Sequence, residues 1–493
     1  LRPDYFDRWK NQLTGGLFQL VSEGAVFADG FQDHAVTETA PGHSTILSGL
    51  WPAHTGIIRN SQGVQDSAAT LLGGVNGPGA SPRRFRGTTL FDWLKAVDPT
   101  TRALSVSRKD RGAILPIGRA KEQVYWYQSG LFTTSRYYAD SLPAWVNAFN
   151  ARRLPFKAAN TSWSLLLPDS AYKEDDNEAW ENGGRDVLFP HRLPADSVRA
   201  AGALAGTPML DSLTLLFALD GLEALKLGRK GTDILAVSLS STDAVGHAFG
   251  PDSREIHDQI LRLDRYLAWF LKRVVDRVGR DNVVVVLTAD HGVTSFPERV
   301  RAKTGAQVYR VFLDSIVTAV NRDLDAQVGA GTSREWLSFD SGMLFLQDNG
   351  RFAATGVKTD SILDVVATRM RAVPGVGRVD RVADLARADT ASDPVARRWI
   401  HQIVPDAGVV LVASPQPGSV WGIENAPIAM HGQPSDDDSH VPIIFWGRGV
   451  KRGVYRGRAN TVDIAPTLGR LLGVTPLSLI DGRVLTDALA PRN

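Results

Sequence analysis

The sequence predicts an α/β protein, a mostly parallel central sheet sandwiched by helices, with insertions forming a cap. Three observations carry this expectation. The first is a β-α-β unit: a strand at Asp233–Leu239, a long amphipathic helix, and the continuous apolar run Val283–Leu287, of buried parallel-strand type. The second is where the polar groups fall. Ser241–His247 follows the first of these strands and Thr288–Gly292 the second, at the strand ends where open α/β sheets bind ligands. The third is size: 493 residues, 43% apolar and 22% charged, are enough to bury a large core.

The elements can be justified in chain order. Leu13, Leu17, Phe18, Leu20 and Val21 lie on one side of a first helix, and Ala25–Ala28 is a short strand. In Thr37–Ser44, β-compatible threonines run into Pro41 and Gly42. Proline suits the first turn of a helix, and a hydroxyl residue just before it suits the N-cap, so Thr39 is expected there, at the positive end of a helix dipole. Such a junction is a ready seat for a phosphoryl group, although Thr39 taken alone is an ordinary cap. The helix is expected over Ser44–Leu50, with turn residues Trp51–Gly56 ending it. Residues 61–86 read as a loop, Thr88–Ala96 as a helix and Ala103–Ser107 as a strand, with Lys109–Ala113 just past its end.

Residues 125–232 begin with an irregular aromatic run (Tyr125, Trp126, Tyr127) and read as an insertion capping the core. In the β-α-β unit Pro251-Asp252-Ser253 starts the helix. It carries Ile256, Ile260, Leu263, Leu267, Phe270 and Val274 on one face and ends at Gly279. Residues 296–424 are a second insertion, with a helix at Thr359–Val373 and a strand at Val409–Ala413. From 425 the core returns with Met430-His431-Gly432, the acidic loop Asp436–Asp438, the apolar segment from His440 to Trp446, and a final helix capped by Asp463. The expected organisation is therefore core at 1–124, 233–295 and 425–493, interrupted by insertions at 125–232 and 296–424.

Composition excludes several classes. A net charge of +2 with no long basic stripe argues against a nucleic-acid partner. With no cysteine there are no disulfides, thiolate metal sites or Cys nucleophile. No apolar run is long enough to span a bilayer. The chain begins at Leu1 rather than Met, as expected of a processed or trimmed start.

The chemistry concentrates in five residues. Asp243 and His247 are four apart, Asp290 and His291 are adjacent, and His431 follows a third apolar segment. Without cysteine, carboxylate and imidazole are the ligands expected for zinc. Five are too many for one catalytic ion and fit two, which at roughly 3.5–4 Å apart can hold the attacking and leaving oxygens of an in-line displacement. Each piece alone is commonplace; together, at expected strand ends, they point to a metal centre.

These segments resemble the alkaline phosphatase superfamily, in its type I phosphodiesterase/nucleotide pyrophosphatase branch, and within it bacterial single-chain alkaline phosphatases with a threonine nucleophile. The resemblance rests on Thr39–His43, Gly56–Asn60, Lys109–Leu115, Ser241–His247, Ala289–Gly292, His431-Gly432 with His440–Ile444, and Val462–Leu468. It implies an alkaline-phosphatase-like fold and a metal-dependent phosphomonoesterase with two zinc ions. Thr39 would be the nucleophile, ligating one ion with Asp290 and His291. Asp243, His247 and His431 would hold the other, and a phosphothreonine would form and be hydrolysed. Lys109, Arg111 and Asn60 would bind the phosphoryl oxygens, favouring a monoester dianion over a diester. The resemblance also implies export to the periplasm, small phosphate esters as partners and a monomer. Relatives carry a metal-ligand aspartate just before a segment resembling Leu1–Tyr5, so residues upstream of Leu1 are expected. The alternatives are a phosphodiesterase or nucleotide pyrophosphatase, and, in another class, a metal-binding pseudoenzyme acting as a recognition module.

Overall fold

In the computed structural model of the chain, residues 1–328, 335–347, 356–424, 426 and 428–490 are described. The core strands form two four-stranded sections. In one, Ala103–Ser107 pairs in parallel with both Gln123–Gln128 and Ile234–Ser238, and Leu131–Thr133 adds antiparallel to Gln123–Gln128. In the other, Ile443–Gly447 runs antiparallel to both Ala25–Phe27 and Val284–Leu287, while Gly453–Tyr455 pairs in parallel with Ala25–Phe27.

Helices cover both faces, as expected. Strand residues alternate between the two layers because successive side chains of a strand point to opposite faces. Ile444 and Trp446 pack in the cluster that holds Leu20 of helix Gly16–Glu23 and Phe270 and Leu271 of helix Arg254–Val278. Ile443 and Phe445 pack instead with Leu90, Trp93, Ile464 and Leu468, from helices Leu90–Val97 and Ile464–Leu472. The long helix begins where Ser253 Oγ accepts the N–H of Ile256 at 3.1 Å and stops at Gly279, whose φ is +88°. Its Asp264 carboxylate accepts the backbone N–H groups of Thr14, Gly15 and Phe18, so one helix satisfies the open donors at the start of another.

Several local expectations are corrected. The apolar run at Val283–Leu287 pairs antiparallel rather than parallel. It is only half-buried because it is the terminal strand of its section, as Ile234–Ser238 is of the other. The boundary at 124 falls inside the core strand Gln123–Gln128. Tyr125, Trp126 and Tyr127 are buried in it, and an apolar strand covered on both faces shows no alternation to read. The helix placed at Ser44–Leu50 is Thr39–Ile46, with Glu38 in the N-cap position and Thr39 as its first residue. Pro41 still lies in the first turn, where a backbone N–H has no partner to lose. Asp463 precedes the last helix, but its carboxylate accepts the N–H groups of Asn460 and Arg483 instead. The expected restart at residue 425 lies outside the described residues.

An antiparallel sheet runs in the order Leu337–Asp340, Met343–Leu346, Val409–Pro415, Val376–Arg381. Helices Asp314–Val328 and Thr359–Arg371 lie over it, with Val320, Leu324, Val366 and Met370 meeting Leu344 and Leu411. Asp33 ties this part to the core. Its carboxylate is buried and ion-paired with Arg397 at 2.7 Å, Arg458 at 2.9 Å and Arg398 at 3.4 Å.

Among the described residues no single helix is long and apolar enough to cross a membrane. One bent pair, Ser197–Gly206 with Met209–Ala224, passes on length and composition together, and its Leu210, Leu215 and Phe217 are buried in the core.

Candidate active site

Three segments distant in sequence meet because two glycines let backbones touch. A Cβ on Gly42 would lie 2.2 Å from the Asp290 carbonyl oxygen, and one on Gly292 would lie 2.1 Å from that of Asp437. The start of helix Thr39–Ile46, the turn after strand Val284–Leu287 and the loop around His431 thus converge. The Gln32 side-chain amide strengthens the junction by donating to the carbonyls of Gly42 at 3.3 Å and Ala289 at 3.0 Å.

Thr39 lies in this junction, 2% exposed. Lys109, in the N-cap position of helix Asp110–Ile114 just past strand Ala103–Ser107, places its Nζ 3.1 Å from Thr39 Oγ1 and 2.6 Å from Asp243 Oδ2. Asp243 and His247 lie on helix Ser241–Phe249 rather than in a loop; four residues apart, they share one helix face. Asp243 Oδ1 lies 3.5 Å from both His247 Nε2 and His431 Nε2, which are 3.1 Å from each other.

The spacing of these three donors suits a metal ion. Tetrahedral bonds of about 2.0–2.1 Å give ligand-to-ligand edges of about 3.3 Å, and the three edges here are 3.1, 3.5 and 3.5 Å. The ring orientation agrees. His247 Nδ1 lies 2.6 Å from the Ala429 carbonyl, His431 Nδ1 2.7 Å from that of Thr37, and His291 Nδ1 2.8 Å from that of Gly292. A proton held at Nδ1 by a carbonyl leaves the Nε2 lone pair for a cation. These residues therefore fit a divalent ion.

The second expected group lies alongside. Asp290 Oδ2 is 3.5 Å from His291 Nε2, and Asp243 Oδ1 is 3.7 Å from the same nitrogen, which is buried with no hydrogen-bond partner. Electrostatics match a cation-seeking site, with both carboxylates held charged. Burial opposes the charge on Asp243, but Lys109, His247 and the bonded His431 outweigh it and hold the carboxyl well below its usual range. Asp290 is held down in the same way by His291 and His43 against burial. Burial pushes His291 down to about 3 despite Asp290, and lowers His247 as well. His431 moves up, because its bond to Asp243 outweighs burial.

The remaining expected residues sit nearby. Asn60 Oδ1 accepts the Ala40 N–H at 2.9 Å, at the first turn of the Thr39 helix, which leaves its Nδ2 to donate. Arg111 follows Lys109 on the same short helix. Its NH1 is 3.5 Å from Asp110, and its Nε is buried without a partner. His440 lies elsewhere, bonded to the Ala28 carbonyl and stacked on Phe31. Asp4 pairs with Arg2 and Arg8.

Sequence reasoning assigned no role to His43 and Glu38. His43 Nδ1 lies 2.9 Å from the Thr39 carbonyl and 3.3 Å from Asp290 Oδ2, and its Nε2 lies 2.9 Å from Ser238 Oγ. It bridges three strand and helix ends. Its place inside the Thr39–His43 motif was the available signal.

The profile of the type I phosphodiesterase / nucleotide pyrophosphatase family matches residues 1–74 and 79–424. Alkaline phosphatase PhoV of Synechococcus elongatus is 32% identical over 99% of this chain and 91% of its own. Alkaline phosphatase PhoK of a Sphingomonas species is 33% identical over 98% and 88%. A crystal structure of wild-type alkaline phosphatase PafA superposes with a TM-score of 0.90 at 28% identity, covering 99% of this chain and 97% of that one. A PafA variant changed at one threonine, one asparagine, one lysine and one arginine superposes with a TM-score of 0.91.

Proposed function

Since the chain belongs to the type I phosphodiesterase / nucleotide pyrophosphatase family and is a metal-dependent alkaline phosphatase, we propose that it hydrolyses phosphate monoesters through a phosphothreonine at Thr39. The observation that carries this reading is the meeting of Thr39 Oγ1, Lys109 Nζ and the Asp243–His247–His431 donor set within hydrogen-bonding reach. The PafA variant supports it. The threonine and asparagine changed there are 21 residues apart and the lysine and arginine two apart, the intervals that separate Thr39 from Asn60 and Lys109 from Arg111.

In this reading Thr39 Oγ attacks phosphorus in line, forming the Oγ–P bond as the bond to the leaving alcohol breaks. Water then hydrolyses the phosphothreonine, and two inversions leave net retention. The Lys109 ammonium, 3.1 Å from Oγ1, stabilises negative charge on that oxygen. Asn60 Nδ2 and the Arg111 guanidinium donate to the equatorial phosphoryl oxygens. Asp243, His247 and His431 would hold one zinc ion, and Asp290 and His291 with Thr39 a second. When bound, such ions supply Lewis-acid charge neutralisation at the attacking and leaving oxygens. His43 keeps Thr39 and Asp290 in register. Division into a core with two insertions, a monomeric state and export to the periplasm belong to the same reading.

The test is turnover of an aryl phosphate monoester and of the corresponding diester, by wild type and Thr39→Ala. We expect the monoester to be preferred and Thr39→Ala to lose at least about 10³-fold in kcat. Retained monoester turnover in Thr39→Ala would overturn the nucleophile, and a diester preference would make the chain a phosphodiesterase. No turnover of either ester by the zinc-loaded wild type would leave the pseudoenzyme reading.

A further inference from the structure

The hairpin between strands Leu337–Asp340 and Met343–Leu346 belongs to the second insertion, yet its tip reaches the site. Three bonds made there surround Asn60. Asp340 Oδ2 lies 3.0 Å from Arg59 NH1 and accepts Ser61 Oγ–H at 2.7 Å, so it holds the residues on either side of Asn60. Ser341 Oγ–H donates to Glu38 Oε1 at 2.7 Å, and Glu38 Oε2 accepts the backbone N–H of Asn60 itself at 2.7 Å. The Arg59 guanidinium also stacks over the ring of Phe345, 4.2 Å from its centre. The tip is built for this contact: Ser341 has φ +53° and Gly342 φ +80°, so the turn is tight and Ser341 takes a left-handed backbone that a non-glycine residue rarely adopts.

We propose that the tip Asp340-Ser341-Gly342 is a positioning device for Asn60, setting where its side-chain amide meets the phosphoryl group. This rests on the reading of Asn60 as a phosphoryl ligand. Asn60 Oδ1 is anchored to the Ala40 N–H on the Thr39 helix, and its main chain is anchored through Glu38 and the tip. With both ends held, the Nδ2 donor has one place to be. Glu38 precedes the nucleophile and takes one donor from each side, so it transmits the grip of the tip to the residue beside Thr39. Asp340 and Ser341 are positioning residues that act through Asn60.

A double-mutant cycle tests this. Ser341→Gly removes the hydroxyl while giving the left-handed backbone the residue that suits it, so the fold is preserved. Asp340→Ala removes the acceptor for Arg59 and Ser61, and Asp340→Asn keeps an oxygen there. Kinetics of an aryl phosphate monoester and the melting temperature are measured for each, alone and combined with Asn60→Ala. Alone, Ser341→Gly and Asp340→Ala are expected to lower kcat/KM about three- to tenfold, the scale of one ordinary hydrogen bond, with Asp340→Asn recovering part of the loss. In the Asn60→Ala background the same changes are expected to matter less than about twofold, because coupled residues are not additive. Losses that persist in full on Asn60→Ala would overturn the positioning role, as would wild-type kinetics in Ser341→Gly and Asp340→Ala. Wild-type kinetics in Asn60→Ala itself would be a different result and would overturn the reading of Asn60.

Discussion

Lys109 sits between the Thr39 alcohol and the Asp243 carboxylate, and the proposed chemistry turns on that placement. Its ammonium is close enough to steady charge on Thr39 Oγ1 and is itself oriented by Asp243. Lys109→Ala is expected to lower kcat/KM for a monoester by about 10²-fold or more, as removal of one preorganised donor does. Steady-state kinetics check this, with circular dichroism to show that the variant is folded. A second residue-scale prediction lies away from the site. Glu181 is buried, and burial, with Glu255, Glu178 and Asp176 nearby, pushes its carboxyl up from 4.5 to about 9. The folded chain therefore keeps a proton that the unfolded chain releases above about 4.5, and stability falls as pH rises through that window towards about 9. Glu181→Gln is expected to flatten this slope and to raise the melting temperature at pH 8 by about 1 °C or more; melting curves from pH 5 to 9 compare the two proteins.

At the scale of elements, contact between helix Thr39–Ile46 and the Asp290 turn depends on Gly42 having no side chain. Gly42→Ala would press a methyl against the Asp290 carbonyl, moving Thr39, the proposed nucleophile, relative to Asp290. A stability loss of about 1–3 kcal/mol is expected from overpacking, and activity is expected to fall further than stability explains, since about 1 Å of misplacement can cost 10²-fold. Denaturant melts and kcat together separate the two effects. The elements also show what the sequence could disclose. That Asp243, His247, Asp290, His291 and His431 come together was readable because their side-chain chemistry and the preceding apolar runs are local features. Strand Ala103–Ser107 and the long helix with its Gly279 stop were readable for the same reason. The strand holding Tyr125–Tyr127 was not, because burial on both faces erases the alternation that marks a strand. Glu38 was not, because its partner Ser341 is 303 residues away.

For the whole molecule, metal and fold are linked. A cation held by Asp243, His247 and His431 binds only the folded chain, so a strong chelator is expected to abolish turnover and lower the melting temperature, with zinc restoring both. Metal analysis of the restored enzyme is expected to find two ions per chain. Asp33 provides a separate whole-molecule test: its buried carboxylate joins Arg397 and Arg398 of helix Pro394–Gln402 to Arg458. Asp33→Ala would leave buried Arg398 without that partner and is expected to cost about 3–5 kcal/mol by chemical denaturation.

The Nδ1 of His431 rests on the carbonyl of Thr37, 394 residues earlier. For a polypeptide emerging from the ribosome, that separation means that Thr37 waits for this partner until 394 further residues have been made. A product cut short anywhere between the two would lack His431, the third member of the donor set that Asp243 and His247 begin.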